Sequence, residues 1–152
     1  MSIFLKLVMG IENAESIWGE KIIPATEKGY PPLFDFATYW FLYEGDVPVA
    51  YTCTAYIDSF ILVGNTYVKR GFRGKGYHTK ILQERNKRIR KPIVAVLNPI
   101  EESKMSQLKS VVSNLGYIKL AHSEAKKIMS NSTWKHFEHR EVWWSPHLEI
   151  IN

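Results

Sequence analysis

The apolar residues of this chain move between two periods, and the changes of period mark its elements. Ile3–Met9 is an apolar run of strand length, broken by Lys6. Ala14, Ile17, Trp18 and Ile22 then recur at helical spacing, with Asn13 as cap and Pro24 as stop. Residues 28–36, where paired prolines sit among aromatics, predict an ordered loop or a broken second helix. From Ala37 the residues become β-branched and aromatic. Strands are expected at 37–43, Val47–Ile57 and Phe60–Val68, joined by tight turns at Glu44-Gly45-Asp46 and Asp58-Ser59.

Helical spacing returns near Gly76: Tyr77, Ile81, Leu82 and Ile89 share one side of a helix that closes before Pro92. Ile93–Leu97, IVAVL, is a continuous apolar run, as in a strand covered on both faces. Asn98-Pro99-Ile100-Glu101 then combines a cap, a first-turn proline and an acid placed to reach back to the cap amide. The helix it starts should run to Leu115, burying Ile100, Leu108, Val111, Val112 and Leu115, and end at a left-handed Gly116. Two strands are expected beyond it. Trp134, His136, Phe137, His139, Val142, Trp143 and Trp144 are read as an aromatic final strand. The whole order, strands interleaved with helices, predicts an α/β (α+β) fold.

Composition changes this picture little. A chain of 152 residues corresponds to one domain, 1–152, large enough to bury a core without staples. Its single Cys53 precludes an intramolecular disulfide and suits a reducing compartment, so a cytoplasmic location is expected. The first apolar run is too short for a membrane span, and no membrane association is expected. His136 and His139 lack the companion ligands that a metal site needs, so no metal is expected; His122 and His147 read as surface residues.

Charge does change it. Of the formal net charge of +5, the segment from Lys69 to Lys91 holds ten Lys or Arg against one acid, Glu84. Lys80, Arg85, Lys87, Arg88, Arg90 and Lys91 are read as the solvated face of a helix, while Arg73 and Lys75 lie inside a loop with Gly71, Gly74 and Gly76. A strand, a glycine turn and a helix start make an anion cradle. The first amides of a helix have no internal partner, the macrodipole adds positive potential, and glycine lets a phosphate approach the backbone. Three or four charge-assisted bonds to a pyrophosphate gain on the order of 5–10 kcal/mol before association costs, enough for micromolar binding. Neither a Walker loop nor a dinucleotide GxGxxG loop is present.

The loop resembles a different phosphate binder. Arg73-Gly74-Lys75-Gly76-Tyr77-His78 is similar to the Arg/Gln-x-x-Gly-x-Gly/Ala motif of the Gcn5-related N-acetyltransferase (GNAT) superfamily, with His78 in place of the last small residue. SNLGYIKL, about 40 residues on, resembles the same family's Tyr-x-x-Leu-Gly-Phe helix end. The resemblance implies a cofactor site at Val68, Arg73, Gly74, Lys75, Gly76, Tyr77, His78 and Thr79. It implies acetyl-CoA as cosubstrate, and a mixed, mostly antiparallel central sheet flanked by helices, in which the strand pair around the glycine-loop helix is parallel but splayed for the pantetheine arm. It further implies transfer of an acyl group to an amine on a small molecule, a protein or a nucleobase, with residues 28–36 lining the acceptor site.

The family's usual proton-transfer positions fall at Leu62 and Val112, neither of which moves a proton. The nearby polar residues Asp58, Asn65, Thr66, Tyr67 and His78 read as structural, and no catalytic residue is assigned. Two functions from different classes follow. One is an acetyl-CoA-dependent N-acetyltransferase. The other is a noncatalytic or nucleic-acid-binding module, whose 69–91 segment would give weak, nonspecific and salt-sensitive phosphate contacts.

Overall fold

The structure, a computed structural model, describes residues 3–22, 37–97 and 102–145. Pro24, the segment 28–36, the helix start at 98–101 and His147 lie outside the described residues. Strands β1 (Ile3–Met9), β2 (Thr38–Glu44), β3 (Val47–Ile57), β4 (Phe60–Val68), β5 (Ile93–Leu97), β6 (Ile118–Lys119) and β7 (Glu141–Ser145) form a seven-stranded sheet in the order β1-β2-β3-β4-β5-β7-β6. Helices α1 (Ile11–Trp18), α2 (Tyr77–Arg88), α3 (Glu102–Asn114), α4 (His122–Ile128) and α5 (Asn131–Phe137) complete it. This is the mixed, mostly antiparallel architecture that the family resemblance implies. The chain divides into two compact units, Met1–Ala55 with Gly64–Arg88, and Tyr56–Val63 with Ile89–Asn152.

In the first unit β1 pairs antiparallel with β2, and β2 with β3. The strands 37–43 and Val47–Ile57 fall within one residue of expectation, because Gly45, at φ 62°, supplies the positive dihedral their turn requires. Residues 49–54 are all buried, so both faces of β3 are covered there. Trp18, Phe41 and Tyr51 form an aromatic core, with Trp18 edge-on to Tyr51 at 5.0 Å. Helix α1 is shorter than expected. It starts after Gly10, places Asn13 inside its first turn and stops at Gly19 in the left-handed conformation, before the proline can act. Ile22 is still buried, its amide held by the Glu15 carboxylate at 2.6 Å.

α2 packs on β2 and buries Tyr77, Ile81 and Leu82 as expected. It also buries Arg85, which is 2% exposed and does not belong to the solvated face assigned to it from sequence. The outer face is organised by Glu84, which meets Lys87 at 2.9 Å, Arg88 at 3.1 Å and Lys80 at 3.5 Å. The bonds from Lys87 and Arg88 lower its carboxyl from the ordinary 4.5 to about 2. A depressed acid stabilises the fold above its unfolded value, and that contribution is lost as pH falls from about 4.5 toward about 2. Glu84→Gln should therefore cost about 0.5–1 kcal/mol in urea unfolding at pH 7, the worth of a few helix-surface pairs, and roughly half of that at pH 3, inside that window. Equal losses at both pH values would exclude an ionic origin.

In the second unit the first residues of β4 pair parallel with β5, Ile61↔Ile93 through Val63↔Ala95, and β5 pairs antiparallel with β7. All of β5 is buried, as IVAVL predicts. α3 packs on β5 and ends near the left-handed Gly116, at φ 87°. The C-terminal region departs from expectation. Two short helices separate β6 from β7, and Trp134, His136 and Phe137 lie on α5; only Val142, Trp143 and Trp144 are on the final strand. Ser130 caps α5 through a bond from the Thr133 amide at 3.3 Å, and Phe137 is buried in this unit. Asp58, in the turn before β4, accepts the Ser130 amide at 2.8 Å, a structural role.

Candidate functional site

The site forms within the first unit where β4 gives way to α2. The alternation of β4 is irregular: Leu62 and Val63 are both buried, Asn65 is buried at φ 52°, and Thr66 and Tyr67 after it are both partly buried. The loop 69–76 is tied back to the strands. The Lys69 amide donates to the Val49 carbonyl at 2.8 Å, the Phe72 amide to the Lys69 carbonyl at 3.0 Å, and Arg73 Nε to the Val68 carbonyl at 3.0 Å. Gly74 and Gly76 have φ of 79° and 81°, which other residues adopt only under strain.

The first bond of α2 runs from the Lys80 amide to the Gly76 carbonyl, at 3.0 Å. The amides of Tyr77, His78 and Thr79 therefore have no acceptor within the helix, and the macrodipole is positive there. Tyr77 and His78 line a cavity of about 300 Å³ together with Thr66, Tyr67, Val68, Phe72, Arg73, Gly74 and Gly76. Six of the eight residues expected from sequence to hold a cofactor are thus brought together; Lys75 and Thr79 are exposed beside them. Thr66, Tyr67 and Phe72 also line the cavity, although no local motif marks them as cofactor contacts.

The electrostatics suit an anion. The lining has a permanent cation, Arg73, and no carboxylate. The Arg73 guanidinium lies 5.0 Å from the centre of the Tyr67 ring, which stacks on Tyr51 at 5.7 Å, and Lys69 lies over Trp18 at 4.6 Å. Burial raises the Tyr51 phenol well above the usual range. Burial, and secondarily the charge of Arg85, lowers the His78 imidazole below 6.5, so His78 is neutral at pH 7. Its amide belongs to the cradle, and its ring lines the cavity where the GNAT motif carries a smaller side chain.

Leu62 and Val112, at the family's proton-transfer positions, are buried apolar residues. Among the described residues no group of three or more His, Cys, Asp or Glu could hold a metal ion, and no helix is long and apolar enough to cross a membrane. A second cavity, of about 370 Å³, lies in the other unit between the ends of β5, β6 and β7. Its carboxylate, Glu141, meets Lys109 at 3.2 Å and Lys119 at 3.6 Å and accepts from Trp143 Nε1 at 3.1 Å. Burial alone would raise Glu141; these contacts outweigh it and lower it.

No family profile and no curated protein matches the chain. Solved structures do. A GNAT-family structure from Desulfovibrio desulfuricans is 10% identical, with a TM-score of 0.61 over 97% of this chain and 100% of the other. An acyl-CoA N-acyltransferase from Pseudomonas aeruginosa is 8% identical, with a TM-score of 0.57 over 94% and 99%. N-acetylglutamate synthase from Neisseria gonorrhoeae, solved with coenzyme A and N-acetylglutamate, is 10% identical, with a TM-score of 0.58 over 98% of this chain and 36% of the synthase. The chain therefore has a fold that acyl-transfer enzymes share. That fold is the GNAT fold, as the loop at 73–78 and the helix end before Gly116 imply.

Proposed function

We propose that this chain is an acyl-CoA-dependent N-acyltransferase that acylates a primary amine, with acetyl-CoA as the expected donor. The observation that carries the reading is the cavity at the end of β4, in which positive-φ glycines, helix-start amides and Arg73 face one space. Such a site takes a pyrophosphate because each amide pairs with an anionic oxygen and no carboxylate competes. Arg73, Gly74, Lys75, Gly76, Tyr77, His78 and Thr79 would hold that group, and Val68 would present strand backbone to the rest of the cofactor. When bound, acyl-CoA supplies a thioester whose acyl carbon accepts a nucleophilic nitrogen. The protein's part is to hold and orient: the tether from Arg73 to the Val68 carbonyl fixes the loop, and the rings of Tyr67 and Tyr77 wall the cavity.

The acyl-transfer fold of its structural neighbours supports this reading, as does the coenzyme A held by one of them. Native mass spectrometry of the purified protein should reveal bound coenzyme A, and calorimetry should give a micromolar dissociation constant. Absence of binding at millimolar coenzyme A would overturn the proposal. The acidic partner within α2 and the burial of Arg85 both reduce the positive charge that its outer face presents, so they lend no support to a nucleic-acid module.

A further inference from the structure

Three stretches of the second unit meet around its cavity of about 370 Å³: Leu97 at the end of β5, residues 119–122 at the passage from β6 into α4, and residues 139–141 leading into β7. Leu97, Leu120 and Ala121 supply an apolar wall, and Lys119 and Arg140 supply two permanent cations. The carboxylate of the lining, Glu141, is already answered. Its Oε1 accepts from Trp143 Nε1, and its Oε2 faces both Lys109 and Lys119. These contacts keep it ionised and turned to its own partners, so a cation entering the cavity would have to displace one of them. An anion meets no such competition.

The cationic side is held in place. The Arg140 amide donates to the Phe137 carbonyl at 2.9 Å, and its Nη1 donates to the His136 carbonyl. A guanidinium carries its five N–H donors in a fixed planar fork, the shape that suits a carboxylate. The His122 ring, also in the lining, stands edge-on to Trp134 at 5.7 Å, and His139 at the mouth faces Glu138 at 3.7 Å. Inorganic phosphate would answer the cations and leave the apolar wall uncovered; an anion with a hydrocarbon body answers both.

We propose that this cavity binds a small organic carboxylate, its charged end on Arg140 and Lys119 and its short aliphatic body against Leu97, Leu120 and Ala121. Every residue of the site belongs to the second unit, whereas the glycine loop belongs to the first.

Butyrate titrated into nitrogen-15-labelled protein at low ionic strength, followed by amide shifts in nuclear magnetic resonance, tests the assignment. It should saturate with a dissociation constant of about a few millimolar and move the signals of Leu97, Leu120 and Arg140. Butyramide, the same shape without the charge, should bind at least about tenfold more weakly. Arg140→Gln should weaken butyrate by about tenfold, the range of a charge-assisted bond. Should that variant not fold, Lys119→Gln, at a side chain 54% exposed, takes its place with an expected loss of about threefold. Leu120→Ala should weaken butyrate by about threefold and leave inorganic phosphate within about twofold. Glu141→Gln should tighten butyrate, because it removes the acid that holds Lys109 and Lys119.

No response to butyrate at about 50 mM overturns the site, as does equal binding of butyramide. Unchanged affinity in both Arg140→Gln and Lys119→Gln overturns the assignment of the charged end. Equal losses of butyrate and phosphate in Leu120→Ala overturn the role of the apolar wall. Weaker butyrate binding in Glu141→Gln would make Glu141 a ligand in its own right and overturn the anion reading.

Discussion

Gly76→Asp should fold and yet lose coenzyme A affinity by about tenfold or more in calorimetry. A Cβ built at Gly76 meets nothing within 4 Å, so the substitution causes no clash. Its folding cost is the φ of 81°, about 1–2 kcal/mol for a residue with a side chain. Against that cost, an acidic side chain beside the first amides of a helix is favourable and offsets part of it. On binding, both effects have the same sign. The carboxylate competes for the amides of Tyr77, His78 and Thr79, and it repels a pyrophosphate approaching them. Gly76→Asn has nearly the same shape without the charge and tolerates the left-handed conformation better, so its loss should be clearly smaller. If both variants keep the parent's affinity while their melting temperatures shift by only a few degrees, the loop is not where the cofactor binds.

What could be read from sequence, and what could not, follows from how local each signal is. IVAVL gave β5 with its bounds because a fully buried strand writes its environment into consecutive residues. Gly116 marked the end of α3 because its positive φ of 87° is a local demand. The glycine loop was legible for the same reason, and six of the residues it nominated line one cavity. Gly19 carries the same kind of signal as Gly116, yet the more conspicuous Pro24 masks it, and α1 ends earlier than its periodicity predicts.

The aromatic tail misled through composition. Trp134 and Phe137 sit three residues apart on a helix, and Ser130 three residues before Thr133 was a capping signal at its start. Arg85 is a different kind of failure. Within a basic run it looks like its neighbours, and one of its partners in the folded chain, Thr52, lies 33 residues earlier and meets it only when β3 and α2 are in place. No window of local sequence contains that contact.

The second large effect concerns pH. With saturating cofactor and a simple alkyl amine as acceptor, turnover should rise by about tenfold per unit from pH 7 to 9, tracking the neutral fraction of an amine whose own pKa is near 10. The reason is the absence of a suitable base. Leu62 and Val112 are buried and apolar, and no carboxylate lines the cavity. Asp58 is committed to the Ser130 amide, and the Tyr67 ring is stacked on Tyr51 and covered by Arg73. His78 is the lining group that titrates nearest neutrality, and burial and the charge of Arg85 hold it below 6.5. Were His78 the base that accepts the ammonium proton, its lowered value would already favour the neutral form across this range. Turnover would then level off between about pH 7 and 9 instead of climbing. His78→Gln should accordingly leave the rising profile intact, and Tyr67→Phe and Asp58→Asn should each change turnover by less than about tenfold while cofactor affinity holds. A flat profile that begins to rise only in His78→Gln, or a hundredfold loss at any one of these positions in a folded, cofactor-binding variant, would reveal a dedicated proton acceptor. The positioning of a neutral amine would then no longer account for the rate.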